Sequence, residues 1–216
     1  MFLGTFFQKV RPSKAFATAY IDMEWLIPTQ TLQVTNIQLG SLIETSKPLV
    51  PLAYKDNDVR FSSLSLLLPS LSIKSYDKTT GQLVLLLADS PPTLSKLTTI
   101  QDMFVSAVAL NHKAWFPSRK GPIDIKAGFQ PMIRGSEIHL YCPTQSDIMQ
   151  SVPFFCDGEW SATGIQKDLL EAGRRVRIAI RIQGISFLLH QNSDMWSGKY
   201  RVQHKILGIL MAHAAK

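Results

Sequence analysis

The sequence predicts a mainly β fold with one or two helices, and three observations lead to that prediction. Short apolar runs with a period of two recur through the first half of the chain, residues 31–39 being the clearest. Two long alternating runs follow at residues 174–185 and 199–206. Apolar residues recur at helical spacing over one long segment, between Leu94 and Val108. Strands are therefore expected to outnumber helices.

Turn and proline signals divide the first half into separate strands. Residues 59–68 and 71–73 are apolar and are interrupted by Pro69, which favours an edge or a bend. Turn-forming residues at 76–81 separate that run from the next apolar run, 82–87, and this arrangement predicts a hairpin. Further on, residues 137–141 and 152–155 are typical of short strands.

Two helices are predicted after that hairpin. The long one has cap residues at Ser90 and a proline at its start, and its apolar spacing predicts an end near Asn111. A shorter helix is predicted over residues 164–171, where Gly173 stops it.

Length and composition predict one globular domain spanning residues 1–216. The chain is 45% hydrophobic and 18% charged, which is ordinary for a packed core. The apolar start of the chain, within residues 1–20, is cut short by Lys9 and Arg11 and predicts a first strand or a docking arm. No apolar run approaches the roughly 18 residues that span a bilayer, so no membrane partner is expected.

The two cysteines, Cys142 and Cys156, are interpreted as reduced, half-buried thiols of an intracellular protein. A disulfide between them is the alternative. His139 lies three residues before Cys142, but no second pair with such spacing follows, so neither a metal nor another cofactor is expected. The expected location is the cytoplasm or the nucleus, of a host cell if the protein is viral.

The charge of the chain is concentrated near its end. The net charge is +7 and the sequence pI is about 9.5, which favours a polyanionic partner. Over residues 174–205 there are seven cations and a single acid, Asp194. Arginines at odd positions alternate with apolar side chains at even positions, so in a strand the two sets fall on opposite faces. The alternation changes phase at Gly184, which predicts a bulge or the sharp bend of a barrel corner.

The strand after this one repeats the alternation. Its odd positions hold Lys199, Arg201 and Lys205, whereas Tyr200 and Val202 hold even positions. One interpretation is a solvated sheet face whose basic residues discourage edge aggregation. A solvated face usually mixes both signs of charge, however, and acids are scarce here. Binding of a polyanion is therefore favoured.

Aromatic residues near these cations indicate single-stranded nucleic acid, because bases stack on aromatic rings while cations bind the phosphates. We predict that Trp196 is exposed in the connecting loop and that it stacks together with Tyr200 and Trp115. The predicted phosphate contacts are Arg175, Arg177, Arg181, Lys199, Arg201 and Lys205, with Arg119 and Lys120 beside Trp115. Duplex readers usually present a helix to the major groove, and the sequence predicts no strongly basic helix.

With these features the chain resembles OB-fold single-stranded DNA-binding proteins of the phage and viral replication type. The resemblance is carried by the helix after the hairpin, by residues 152–158 and by the basic runs 175–185 and 199–206. It implies an OB-fold-like antiparallel barrel with insertions, and it implies contacts with replication proteins. Many members of that family recruit such partners through an acidic tail. The last residues here end in Lys216, so recruitment by such a tail is not expected.

Catalysis is not expected. The sequence has no glycine-rich phosphate loop, nucleophile elbow or HExxH motif, and its acids are scattered. The predicted function is sequence-tolerant binding of single-stranded nucleic acid, DNA rather than RNA, in replication or recombination. The alternative is a viral structural or assembly protein with a basic sheet facing a genome. Either is compatible with a homo-oligomer.

Overall fold

The computed structural model describes residues 25–117, 121–142, 154–156, 159–161, 170–191 and 193–211. The predicted arm at residues 1–20 and the body of the predicted helix at 164–171 lie outside these ranges. Within them, 14 strands belong to one sheet. In chain order they are β1 Ile27–Pro28, β2 Ile37–Leu39, β3 Leu49–Asp56, β4 Val59–Phe61, β5 Leu64–Leu67, β6 Leu71–Tyr76, β7 Gln82–Leu86, β8 Phe129–Gln130, β9 Ile133–Arg134, β10 Glu137–Tyr141, β11 Phe154–Cys156, β12 Glu159–Ser161, β13 Arg175–Leu189 and β14 Trp196–Met211.

The described helices are α1, Pro91–Trp115, and the single turn α2, Ile125–Gly128, together with 3₁₀ turns at Val34–Asn36 and Leu87–Asp89. The mainly β prediction is thus confirmed. The predicted antiparallel barrel is not: the described strands form a mixed sheet that does not close. Parallel pairing joins β1 to β5, β8 to β14 and β11 to β14.

Strand β13 is the centre of the sheet. On one side it pairs with β14 along nearly its whole length. On the other side it pairs in turn with β6 near Arg175, with β5 at Ala179 to Ile182, and with β3 at Gly184 to Ser186. The strand order on from β13 is β6, β7, β10 and β9. A strand of 15 residues is long enough to pair with several short neighbours one after another along its length.

The predicted bend at Pro69 is confirmed. It separates β5 from β6, and both strands pair with β13. Next to the bend, the backbone N–H of Leu68 donates to the carbonyl of Ile178 at 2.9 Å. The hairpin of β6 and β7 around residues 77–81 is also confirmed, with Ile73 opposite Leu85.

The strand predicted over residues 31–39 is wrong for most of its length. Only Ile37–Leu39 is a strand, and Val34–Asn36 forms a 3₁₀ turn. Leu32 and Ile37 are both buried. Their positions differ in parity, so a straight strand would send them to opposite faces. The turn between them brings both side chains into the core.

Helix α1 covers one face of the sheet. Its buried residues Leu97, Ile100, Phe104 and Val108 share one core cluster with the buried strand residues, such as Ile178 of β13. We call the helix-covered side of the sheet the inner face and the opposite side the outer face. The helix extends beyond the predicted end, to Trp115. The helix is longer because its last turn also packs in the core, where Trp115 contacts Phe187 of β13.

Gly184 is required where β3 pairs closely with β13. The register of β13 with β14 shifts between Ile182 and Gly184, which confirms the predicted bulge. The backbone of Gly184 has φ +150°, and a Cβ placed there would lie 2.0 Å from the carbonyl oxygen of Val50. A side chain at this position would push β3 away from β13, so glycine allows both the bulge and the close approach.

Candidate nucleic-acid interface

The alternation in β13 places arginines on the outer face, as predicted. Arg175 and Arg177 are exposed and Arg181 is half-buried, whereas the intervening Val176 and Ile178 are buried in the core. Beyond the bulge the inner face continues at odd positions, with Ile185 and Phe187 buried. The outer face of β13 is therefore basic along its N-terminal half.

Strand β14 extends the same basic surface. Lys199 and Arg201 are exposed and Lys205 is half-buried. Arg181 lies directly opposite Lys205 across the two strands, and Arg201 lies opposite Ser186. Directly opposed residues have Cβ atoms about 4.5–5.5 Å apart, a distance at which two like charges destabilise a sheet. We call the six predicted cations of β13 and β14 the basic hairpin face.

An apolar contact divides the arginines of β13, and sequence reasoning missed it. Ala179 occupies an outer-face position between Arg177 and Arg181, yet it is only 1% exposed. Leu26 and Leu67 bury it, because β1 and β5 lie alongside at this point. An alanine in the middle of an arginine series was the available signal, since a small apolar residue on a polar face often marks a covered position.

The arginines differ in their partners. The Arg175 guanidinium donates to the carbonyl of Ser70 at 2.7 Å, and its Nη1 lies 3.7 Å from Asp89. Hydrogen bonds from Ser72, and to a smaller extent the charge of Arg175, lower the pKa of Asp89. Arg175 is thus partly neutralised within the protein. Arg181 also has a further partner. The exposed Arg177, Lys199 and Arg201 offer the clearest phosphate contacts.

The predicted exposure of Trp196 is wrong, and Tyr200 is buried with it. Their exposed fractions are 1% and 0%. The Trp196 indole N–H donates to the carbonyl of Lys199 at 2.7 Å, and the Tyr200 hydroxyl donates to the carbonyl of Ile125 at 2.9 Å. Burial raises the pKa of Tyr200 to about 12. With both rings fully enclosed on the inner face, neither can stack on a base in this structure.

These two residues belong to an aromatic cluster under the end of α1. The ring of Phe187 lies 5.5 Å from that of Trp196 and 4.9 Å from that of Phe116. Trp115 packs edge-on against Phe187 at 5.6 Å and is half-buried, so it serves this core. The signal was present in the sequence: Trp196 shares the even parity of Tyr200, and a strand that starts three residues before Lys199 includes both.

Arg119 and Lys120, the other predicted contacts, lie outside the described residues. The adjacent segment forms a shallow surface groove of about 580 Å³ between α1 and residues 122–126. Its walls are mostly apolar, including Val105, Ala109 and Ile123. It lies on the helix side, away from the basic hairpin face.

The outer face continues across β6, β7 and β10. Arg175 pairs with Ser72, Ser72 with Leu86, and Leu86 with Glu137, whose other neighbour is Arg134. This row crosses four strand boundaries on one face. Sequence reasoning missed its cations, Lys74 of β6 and Arg134 of β9, because neither strand carries a long alternating pattern.

Two cations occupy this extension. Arg134 is exposed, and Lys74 forms an ion pair with Glu137. Tyr141, at the end of β10, shares the outer face with Glu137 and is 54% exposed. The outer face therefore carries cations at both ends and an exposed aromatic ring at one of them.

His139 lies between Glu137 and Tyr141 on β10. Its Nδ1 is 3.2 Å from the side-chain amide of Gln82, whose nitrogen donates, so the neutral tautomer carries its proton on Nε2. That buried Nε2 has no hydrogen-bond partner and lies 3.8 Å from Glu137. Burial, and secondarily the charge of Arg134, lower the pKa of His139. Burial likewise lowers the pKa of His204, on β14.

Cys142 is a free thiol and is buried, so the alternative of a disulfide at Cys142 is wrong. Burial raises its pKa to about 12.

Among the described residues, no group of three or more histidine, cysteine and acidic side chains could hold a metal ion. Within the same part of the chain, no helix is long and apolar enough to cross a membrane.

Comparison with protein-family models, with curated proteins and with solved structures finds no match for the chain.

Proposed function

We propose that this protein binds single-stranded nucleic acid, DNA rather than RNA, on the outer face of its sheet, and that it does so without regard to sequence. The observation that carries the proposal is the basic hairpin face, where Arg177, Lys199 and Arg201 are exposed. Such crowding of like charge is relieved when phosphates bind and release their counterions.

The shape of the site supports a single strand over a duplex. The face belongs to a sheet, and α1, the one long helix described, lies on the opposite side with only Lys96, Asp102 and Lys113 as fully charged residues. A sheet face can bind the extended sugar–phosphate backbone of a single nucleic-acid strand along its cations. Readers of the major groove usually insert a helix.

The resemblance to OB-fold replication proteins stays part of the proposal. It is supported by the long β13–β14 hairpin, by the bulge at Gly184 and by the position of α1 after the β6–β7 hairpin. Sequence-tolerant binding needs cations and a surface, and it does not require the sheet to close.

We also propose that the protein binds without catalysing a reaction. Cys142 is enclosed and its pKa is raised to about 12, so at neutral pH it is a thiol and not the thiolate that acts as a nucleophile. His139 and His204 lie on opposite faces of the sheet, which separates the two described strand histidines from each other.

The test is fluorescence anisotropy with a labelled 20-nucleotide oligo-dT at several salt concentrations. We expect log affinity to fall linearly with log salt. In the double variant Arg177→Ala/Arg201→Ala the magnitude of the slope should decrease by about 1.4, because each phosphate contact to a single strand contributes about 0.7.

Lys113→Ala/Lys126→Ala is the matched control, because both lysines are exposed on the helix side. It should leave the slope unchanged. Equal effects of the two double variants would refute the proposed face. Absence of binding by the wild-type protein, with large regular assemblies in sizing chromatography, would instead support a structural or assembly protein.

A further inference from the structure

With Trp196 and Tyr200 enclosed in the core, the basic hairpin face itself presents no ring for a base. Large aromatic side chains that are strongly exposed in the described residues are Trp25 and Tyr141, at 51% and 54%. The ring of Trp25 is engaged with Phe61 at 6.1 Å, and Trp25 has a further partner. Tyr141 has no ring contact of this kind with the described residues, and it lies on the outer face.

We propose that Tyr141 is the base-stacking residue of this protein and that the bound strand runs from the basic hairpin face across β6 and β7 to the end of β10. The inference rests on the proposed function and deepens it, because it assigns a nucleobase subsite to a surface that would otherwise contact phosphates alone.

The ring is held in place from one side. The side-chain amide of Gln82, directly opposite on β7, donates to the Tyr141 hydroxyl at 3.5 Å and to His139 Nδ1 at 3.2 Å. The contact with Tyr141 acts on the hydroxyl end of its ring, and the residue remains 54% exposed. A ring with few rotatable bonds that is already oriented loses little entropy when a base stacks on it.

One cation, Lys74 of β6, lies on the route between the two ends. Three strand spacings of about 4.8 Å separate β13 from β10, and four residues of about 3.3 Å separate Glu137 from Tyr141. A strand leaving Arg175 therefore travels about 20 Å to reach Tyr141 and passes Lys74. Arg134 lies one strand further on, opposite Glu137. A 20-residue oligonucleotide is long enough to cover this route.

An acid in the neighbouring β6–β7 turn, Asp77, is hydrogen-bonded within that turn. Asp77 accepts hydrogen bonds from the backbone N–H groups of Thr79 and Thr80 and from the Thr80 hydroxyl, at 2.7–3.3 Å. These bonds lower the pKa of Asp77 and keep its carboxylate within the β6–β7 turn.

The experiment compares two 20-residue ligands with the same number of phosphates, oligo-dT and a fully abasic strand, on wild-type protein and on Tyr141→Ala and Tyr141→Phe. Stacking predicts that Tyr141→Ala weakens oligo-dT binding about 5- to 150-fold. The same variant should bind the abasic strand as the wild type does. Tyr141→Phe keeps the ring and should retain nearly all of the oligo-dT affinity.

Leu110→Ala is the control, because Leu110 is 83% exposed on the helix side. An equal loss on both ligands would overturn the stacking role, and so would no loss on either. Those outcomes leave the proposed function standing as long as Arg177→Ala/Arg201→Ala still reduces the salt slope. If the wild type binds neither ligand, the proposed function fails and the inference fails with it.

Discussion

Replacing Gly184 with alanine should destabilise the protein strongly, because two separate penalties meet at this position. The first is conformational: φ is +150°, a region that costs about 1–3 kcal/mol for a residue with a side chain. The second is steric, since the new Cβ would lie 2.0 Å from Val50 O and 2.8 Å from Val50 C. These are backbone atoms of the paired strand β3 and cannot rotate away.

The steric penalty is of the size found for overpacked sites, about 1–3 kcal/mol. The two penalties together give a loss of about 2–6 kcal/mol in the free energy of unfolding. Domains of this class have about 5–15 kcal/mol in total. At about 2–4 °C per kcal/mol, the melting temperature should fall by roughly 4–24 °C.

Gly135 supplies a matched control. Its φ is +59° and a Cβ placed there would have no atom within 4 Å, so Gly135→Ala incurs the conformational penalty alone. Urea denaturation of both variants, followed by circular dichroism, measures the difference between them. If Gly184→Ala were no less stable than Gly135→Ala, the close approach of β3 to Gly184 would be refuted.

Three further predictions follow from the core and its titratable groups. Trp196→Ala should lower the free energy of unfolding, measured by urea denaturation, by about 3–5 kcal/mol. Its oligo-dT affinity, measured well below the melting temperature of the variant, should not change. A loss of affinity without a loss of stability would show that the ring is accessible. Cys142 should react with a thiol reagent far more slowly in the folded protein than in urea at pH 8, because its pKa is raised to about 12, and equal rates would contradict its burial. Burial lowers the pKa of His204, so as the pH falls the unfolded chain binds the proton before the folded chain does. The contribution of neutral His204 to stability is therefore present at neutral pH and is lost as the pH falls below about 6.5. The loss is at most about 1.4 kcal/mol per pH unit. His204→Gln should flatten that part of the pH profile, and an unchanged profile would contradict the shift.

The sequence by itself determined the strands whose two faces differ in polarity. In β13 and β14 the alternation is long enough to fix which side chains enter the core, so Arg177 and Arg201 were placed correctly and the bulge at Gly184 was located. The hairpin around residues 77–81 and the bend at Pro69 were predicted from local turn chemistry, which acts over a few residues and is visible in the sequence.

Only the tertiary structure decided what lies against each face. Trp196 was expected in a loop because small polar residues surround it, but the end of α1 offers it Phe116 as a neighbour. Residues 31–39 were expected to form one strand, but the 3₁₀ turn at Val34–Asn36 allows both Leu32 and Ile37 to be buried in the core. Such outcomes depend on segments far apart in the chain, and periodicity reports only on neighbours.

The candidate site was divided in the same way. Its cations on β13 and β14 were determined by the sequence, since charge and parity are local properties. Its extension to Arg134 and Tyr141 was decided by the order β13, β6, β7, β10, β9, which aligns short strands with no long pattern of their own. Pairing across a sheet is set by burial on the inner face, so the outer-face neighbours of a residue become known only when that core is assembled.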